Sequence, residues 1–238
     1  MTLLTICTAV ADEVGVDRPS SIIGNSAPTA QKMLRYVNKS GWTLMKGVAW
    51  QVLRKERTFT SIGGSTQTSI LPADFDRFIP ETFWNRSDYE LVSGPVGAVE
   101  WQGLKAFSYG GDDKFTYRGD DILILPEPGA GKALAFEYIS TYWCKSSGGT
   151  GQTAMAADTD VGVIDEELLV KATKFTYLSD EGLPNDVAYK EMTDYMDDLT
   201  RNDQASPGIL VAADIFNNGG GRHFTGTPVT SGSNITVL

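Results

Sequence analysis

The hydrophobic period of this chain changes twice, and that change limits its fold more than any single motif. Leu3, Ile6, Cys7, Val10 and Val14 recur at steps of three and four, the spacing of an amphipathic helix, which Gly15 and Pro19 stop. A polar loop runs from Ser20 to Pro28. Beyond it Ala30, Met33, Leu34, Val37, Gly41, Met45, Val48 and Val52 mark a second, longer stripe, with Thr29 placed to cap it. Gly41 is a point at which that helix bends or another helix comes close. From about Lys55 the spacing falls to two. Arg57–Ile62, Thr66–Leu71, Thr82–Trp84, Tyr89–Val92, Phe115–Tyr117, Ile122–Leu125 and Ala133–Trp143 read as strands, with Leu134, Phe136, Tyr138 and Ser140 on one face of the last. One short helix, Gly97 to Ala106, interrupts them.

Helical spacing then returns. Ile164, Leu168, Leu169, Ala172, Phe175 and Leu178 form one stripe, with Asp165, Glu166 and Glu167 in the first turn, where the helix dipole favours acids. Pro184 breaks the run. Ala188, Met192, Tyr195, Met196 and Leu199 form a last, acidic helix that ends near Pro207-Gly208. The expected class is therefore α+β: a helical bundle made by the N- and C-terminal helices, with an inserted antiparallel β module. In residue terms, 1–56 and 157–206 form the helical lobe, 57–146 the β lobe and 147–156 a Gly/Ser-rich flexible loop that continues through Ala157 to Asp160. Residues 207–238 form an extended C-terminal arm. Pro207 and Gly208 are its hinge, and Ile209, Leu210, Val211, Ile215, Phe216, Phe224, Ile235, Val237 and Leu238 are apolar anchors that only a partner could bury.

Few residues are arranged for catalysis. The single histidine, His223, falls in the Gly-rich tail, which argues against His-based triads and His-ligated zinc. Gly129-Ala-Gly131-Lys132 lacks the spacing and the following Ser or Thr of a phosphate-binding loop, and reads as a hairpin turn. Arg118-Gly119-Asp120 is a turn before a strand. Asp158, Asp160 and Asp165–Glu167 could offer oxygen ligands to calcium, but lack the EF-hand glycine, and helix capping accounts for them. Cys7 and Cys144 read as two buried, reduced thiols. No catalytic residue, metal or cofactor is expected. Glu81, Asp88 and Glu90, set among Phe83, Trp84 and Tyr89, are the acids on which a cell-wall glycan hydrolase could be built.

Charge narrows the partners. Twenty Lys and Arg against 30 Asp and Glu leave a net charge of −10. Such a surface disfavours tight binding of nucleic acid or anionic lipid, while allowing DNA to slide past. No apolar run approaches the ~20 residues that span a bilayer. The first residues lack a basic segment and soon meet Asp12 and Glu13, so a soluble, non-secreted chain is expected.

Three strings carry a resemblance to a known family. They are Leu71-Pro-Ala-Asp-Phe-Asp-Arg-Phe78; Tyr117-Arg-Gly-Asp-Asp-Ile-Leu-Ile-Leu-Pro126 with Ala133–Ser140 and Tyr142-Trp143; and Ala157-Asp-Thr-Asp160 with Ile164–Leu169. Together with Val37-Asn38 and Trp42 in the long helix, and in this order, the chain to about residue 200 resembles the head-to-tail adaptor (connector) proteins of short-tailed bacteriophages, which include tail tubular protein A. The resemblance implies a virion structural protein at the head–tail junction, assembled in the host cytoplasm. It implies a homo-oligomeric, dodecameric ring under the portal protein ring, with a channel through which double-stranded DNA passes without specific binding. It also implies a lower surface for a tail nozzle, tube or other tail protein. The alternatives are the glycan hydrolase and a tube or neck protein of a longer-tailed phage.

Overall fold

A computed structural model describes residues 1–107 and 109–204. The hinge residues Pro207 and Gly208, the anchors Ile209, Leu210, Val211, Ile215, Phe216, Phe224, Ile235, Val237 and Leu238, and His223 lie outside the described residues.

The fold is α+β, with five helices among the described residues and antiparallel sheets. Helix α1 (Leu3–Val14) starts where the Thr2 hydroxyl accepts from the Thr5 amide, and ends at Gly15, whose φ of 73° is the left-handed conformation glycine adopts at little cost. Helix α2 (Pro28–Gly47) begins with Pro28 in its first turn and Ala27 at the cap position, so Thr29 lies inside the helix and is not its cap. It also stops earlier than the apolar stripe suggested. Val48 is already extended, and Gln51–Leu53 form a separate single 3-10 turn. Helix α3 (Ala98–Ala106) buries Trp101. Helix α4 (Glu166–Asp180) is capped by Asp165, whose carboxylate accepts from the Leu168 amide at 2.9 Å. Helix α5 (Asp186–Gln204) completes the set.

The strands are β1 (Arg54–Thr60), β2 (Thr66–Gln67), β3 (Phe75–Phe78), β4 (Trp84–Asn85), β5 (Glu90–Leu91), β6 (Lys114–Arg118), β7 (Asp121–Leu125), β8 (Ala133–Ser140), β9 (Cys144–Lys145), β10 (Gly151–Gln152) and β11 (Val161–Gly162). Strand β8 organises the largest sheet. One edge pairs with β1 over its whole length, from Arg54↔Ile139 to Thr60↔Ala133. The other edge is shared by β3, at Tyr138–Ser140, and β4, at Leu134–Ala135. A second sheet runs β2-β7-β6 and a third β10-β9-β11.

Two apolar cores result. Helices α1, α2, α4 and α5 surround one, which includes Leu3, Ile6, Met33, Val37, Met45, Leu168 and Leu169. The other is largely aromatic and holds Phe83, Phe115, Phe136 and Tyr138, with Phe59, Phe75 and Phe78 packed against it. Three sequence expectations change here. Ile139, Trp143, Cys144 and Met155, expected in the β lobe or its loop, belong to the helical core. Gly41 accommodates a side chain rather than a second helix: a β-carbon there would sit 2.4 Å from the Trp143 ring. Gly129–Lys132 is no hairpin turn, because β7 and β8 belong to different sheets and the segment connects them.

The loop expected to be flexible is also ordered by hydrogen bonds. The Ser146 amide donates to Thr150 O at 2.8 Å, closing a hairpin between β9 and β10. Further on, the Leu3 amide donates to Asp160 O at 2.8 Å and the Leu4 amide to Asp158 O at 3.2 Å, so this segment takes up the free donors at the start of α1.

Candidate functional site

The β4–β5 hairpin carries Asp88 and Glu90, two of the three acids singled out in the sequence, and alternation sets its two faces. Phe83 and Asn85 point inward and are buried, while Trp84 and Arg86 point out and are exposed. Asn85 then builds the turn from within. Its Oδ1 accepts from the Ser87 and Asp88 amides, both at 3.2 Å, and its Nδ2 donates to the Asp88 carboxylate at 2.8 Å. The tip is pinned to the start of β8. Lys132 Nζ meets Asp88 at 2.6 Å, and the Ala133 amide donates to Ser87 Oγ at 2.9 Å. Arg86 pairs with Glu56 on β1. Tyr89 ends the turn with φ 63° and its side chain 86% exposed. Thr82, Trp84, Asn85, Arg86 and Tyr89 line a cleft of about 300 Å³.

A second cleft, of about 520 Å³, is lined by Glu90, Leu91, Ser93 and the Gly110–Asp113 segment. Burial pushes the Asp113 carboxyl up, and the charges of Glu90 and Asp88 add to the rise; the Asn85 amide offsets part of it. Asp88 moves the other way, held below the usual carboxylate range by hydrogen bonds from Lys132 and Asn85. The structure thus gathers Asp88 and Glu90 around Asp113, which sequence reasoning missed. Glu81 is apart from them in role, exposed in a turn at φ 61°. The signal that could have found Asp113 was the Gly110-Gly-Asp-Asp113 run, which follows a helix and precedes a strand.

A second missed feature lies in Leu71–Phe78. Phe75 and Phe78 join the aromatic core, and their rings stack edge-on with centroids 4.7 Å apart. Of the aspartates beside and between them, Asp74 ties the strands of the largest sheet together and Asp76 ties β3 to α2. Asp74 accepts from Lys55 Nζ and Ser140 Oγ, both at 2.6 Å, and from the Tyr138 hydroxyl at 3.1 Å. Burial alone would raise this carboxyl; the bonds from Lys55, Ser140 and Tyr138 together outweigh it and hold it below its ordinary value. Asp76, its side chain almost wholly buried, pairs with Lys46 on α2 and with Arg77, whose guanidinium also donates to Val48 O at 3.1 Å.

The remaining candidates have structural partners. Asp158 accepts from the Ile22 and Ile23 amides, at 3.1 and 2.8 Å, and Asp160 from the Ala156 and Ala157 amides, at 2.7 and 2.8 Å. Gly119, at φ 58°, forms the β6–β7 turn. Cys7 and Cys144 are free and buried, and burial pushes both thiols up to about 12, helped by Asp158 and Asp160 respectively. On the helical side an apolar groove of about 330 Å³ lies between α2, α4 and α5, lined by Leu44, Ala172, Phe175, Met192 and Met196 among others. Val187 and Tyr189 on α5 are exposed as well. No helix among the described residues is long and apolar enough to cross a membrane. Searches with the chain match no protein-family model and no curated protein.

Proposed function

We propose that this chain is a head-to-tail adaptor of a short-tailed bacteriophage: a virion structural protein that forms a ring under the portal, extends the DNA channel and offers a docking surface to the tail. The finer architecture belongs to this reading: a bundle of terminal helices, an inserted β module and a C-terminal arm reaching a partner. The observation that carries it is the apolar surface on α5 and in the groove beside it, at the helix that leads in sequence to the apolar anchors beyond Gly208. An isolated monomer gains nothing by exposing such surface, whereas an assembling one covers it. The order of the family-like strings supports the same reading, and a net charge of −10 suits a conduit from which DNA must slip free.

The test is to mix the purified chain with its portal ring and image the product with symmetry resolved. A closed ring seated on the portal is the expected result. Removing residues after Ser206 is expected to weaken attachment while leaving the helical and β parts folded, and Gly208→Val to hinder assembly more than folding. Assembly on a tail tube without portal binding would replace this reading by that of a tube or neck protein.

A glycan hydrolase is the second reading, favoured by one observation. Asp88 is held ionised and Asp113 is pushed toward protonation on either side of Asn85, the opposed environments that separate a base from an acid. Loss of peptidoglycan-releasing activity in Asp113→Asn would support it, and an inactive wild type would end it.

A further inference from the structure

We propose that the outward face of the β4–β5 hairpin is a binding cleft for a neutral glycan, with Trp84 and Tyr89 as the surfaces on which sugar rings stack. Binding there requires no bond cleavage. Alternation places Thr82, Trp84 and Arg86 on the face opposite the buried Phe83 and Asn85, and Tyr89 joins them from the far side of the turn. Beside Trp84 the sheet register sets Ala135, which is buried, and then Thr58, which is exposed. The cleft of about 300 Å³ lies at the small end of the range for small-molecule sites, ~300–1,000 Å³.

Tyr89 is the distinctive residue. A bulky side chain at φ 63° occupies a hairpin position normally left to glycine or asparagine. Its side chain is almost fully solvent-exposed, so packing within the chain does not compensate for the strain. The turn that holds it is fixed by Asn85, by the Lys132–Asp88 pair and by the Ser87–Ala133 bond. Such a frame fixes the backbone from which both rings project, so binding need order only their side-chain rotamers.

The surroundings select the ligand. Arg86, the charged residue of the cleft lining, is paired with Glu56, and the nearby Lys132 with Asp88, so a phosphate or an acidic sugar meets no unpaired cation in the cleft. A neutral pyranose offers an apolar C–H face to the rings and hydroxyls to the guanidinium of Arg86, which has donors beyond those committed to Glu56. Trp, Tyr and Arg also recur at protein–protein hot spots. A stable protein interface, however, covers about 800 Å² on each partner, whereas here two exposed rings stand among carboxylates.

The test follows the Trp84 indole N–H by NMR, assigned among the five tryptophans with Trp84→Phe, while the full chain is titrated separately with an N-acetylglucosamine tetramer and with cellotetraose. A saturable shift with at least one is expected, and the pair reports whether the acetamido group is read. Read from the backbone amides of Arg86–Tyr89, which every variant keeps, Trp84→Ala should abolish binding and Tyr89→Gly weaken it about tenfold or more, equivalent to ~1.4 kcal/mol. Tyr89→Gly should leave Tm unchanged or raise it by up to about 4 °C, because it removes strain and little packing. No shift up to about 10 mM, well beyond the ~1 mM constant of a −4.1 kcal/mol interaction, would overturn the proposal. So would binding that survives both variants, or a clear fall in the Tm of Tyr89→Gly.

Discussion

The two cores of this molecule solve the same packing problem with different materials. Around α1, α2, α4 and α5 the interior is mainly aliphatic, with Met33, Met45 and Met155 and two tryptophans, Trp50 and Trp143, and much of it comes from residues three or four apart on the same helix. Around β8 it is aromatic: Phe59, Phe78, Phe83, Phe115 and Phe136 form a chain of tilted and edge-on rings with centroids 4.8 to 6.4 Å apart. Aliphatic side chains on a helical stripe are interchangeable within limits of volume, whereas edge-to-face rings require particular orientations. The β part therefore depends more on fixed geometry, and the buried aspartates of β3 and the turn before it supply it.

If the cores are joined as described, damage to either should lower one shared unfolding transition. Phe136→Ala is expected to cost about 3–5 kcal/mol and Leu168→Ala about 2–5 kcal/mol, each as a single urea transition with an unchanged m-value. Two separated transitions would show that the cores unfold independently. Asp74→Ala should cost about 2–4 kcal/mol, because it leaves the buried Ser140 and Tyr138 hydroxyls without an acceptor. Gly41→Ala should cost about 1–3 kcal/mol, since the added carbon meets a rigid indole, and calorimetry would register the lower Tm. The smallest effect is expected of Asp165→Ala, about 1 kcal/mol for the lost α4 cap, with no change in the β part.

The same comparison has a pH form. The Asp74 carboxyl is depressed in the folded state, so its contribution is complete above the ordinary aspartate range and disappears as pH falls through its folded value. Lys55→Met removes the largest of the groups holding it down. Acid unfolding of that variant should begin at a higher pH than in the parent chain, as followed by tryptophan fluorescence.

What was legible in the sequence follows from the range of the interactions. The stripes Leu3–Val14 and Ile164–Leu178 are local patterns, and the helices stand where those patterns lie. Asp165 also announced itself as a first-turn acid. The helical core's capture of Trp143 was not legible, because the reason lies at Gly41, a residue distant in sequence. Asp74 gave no chemical signal by itself, since its partners Lys55, Tyr138 and Ser140 come from two other strands. The same holds for the hairpin site: Asp88 and Glu90 were visible as acids, while Asp113 reaches them only through the fold.

The pairing Arg54↔Ile139 has a consequence for how such a chain can vary. The strand that follows α2 and the strand that leads to β9 are hydrogen-bonded neighbours, so the chain between them starts and ends at one place. Inside that span, β3 returns to α2 through Asp76 and Arg77. Insertions or deletions in the turns away from Leu71–Ile79 need not alter the distance between α2 and β9, so those loops can diverge quickly while Asp74–Ile79 stays constrained.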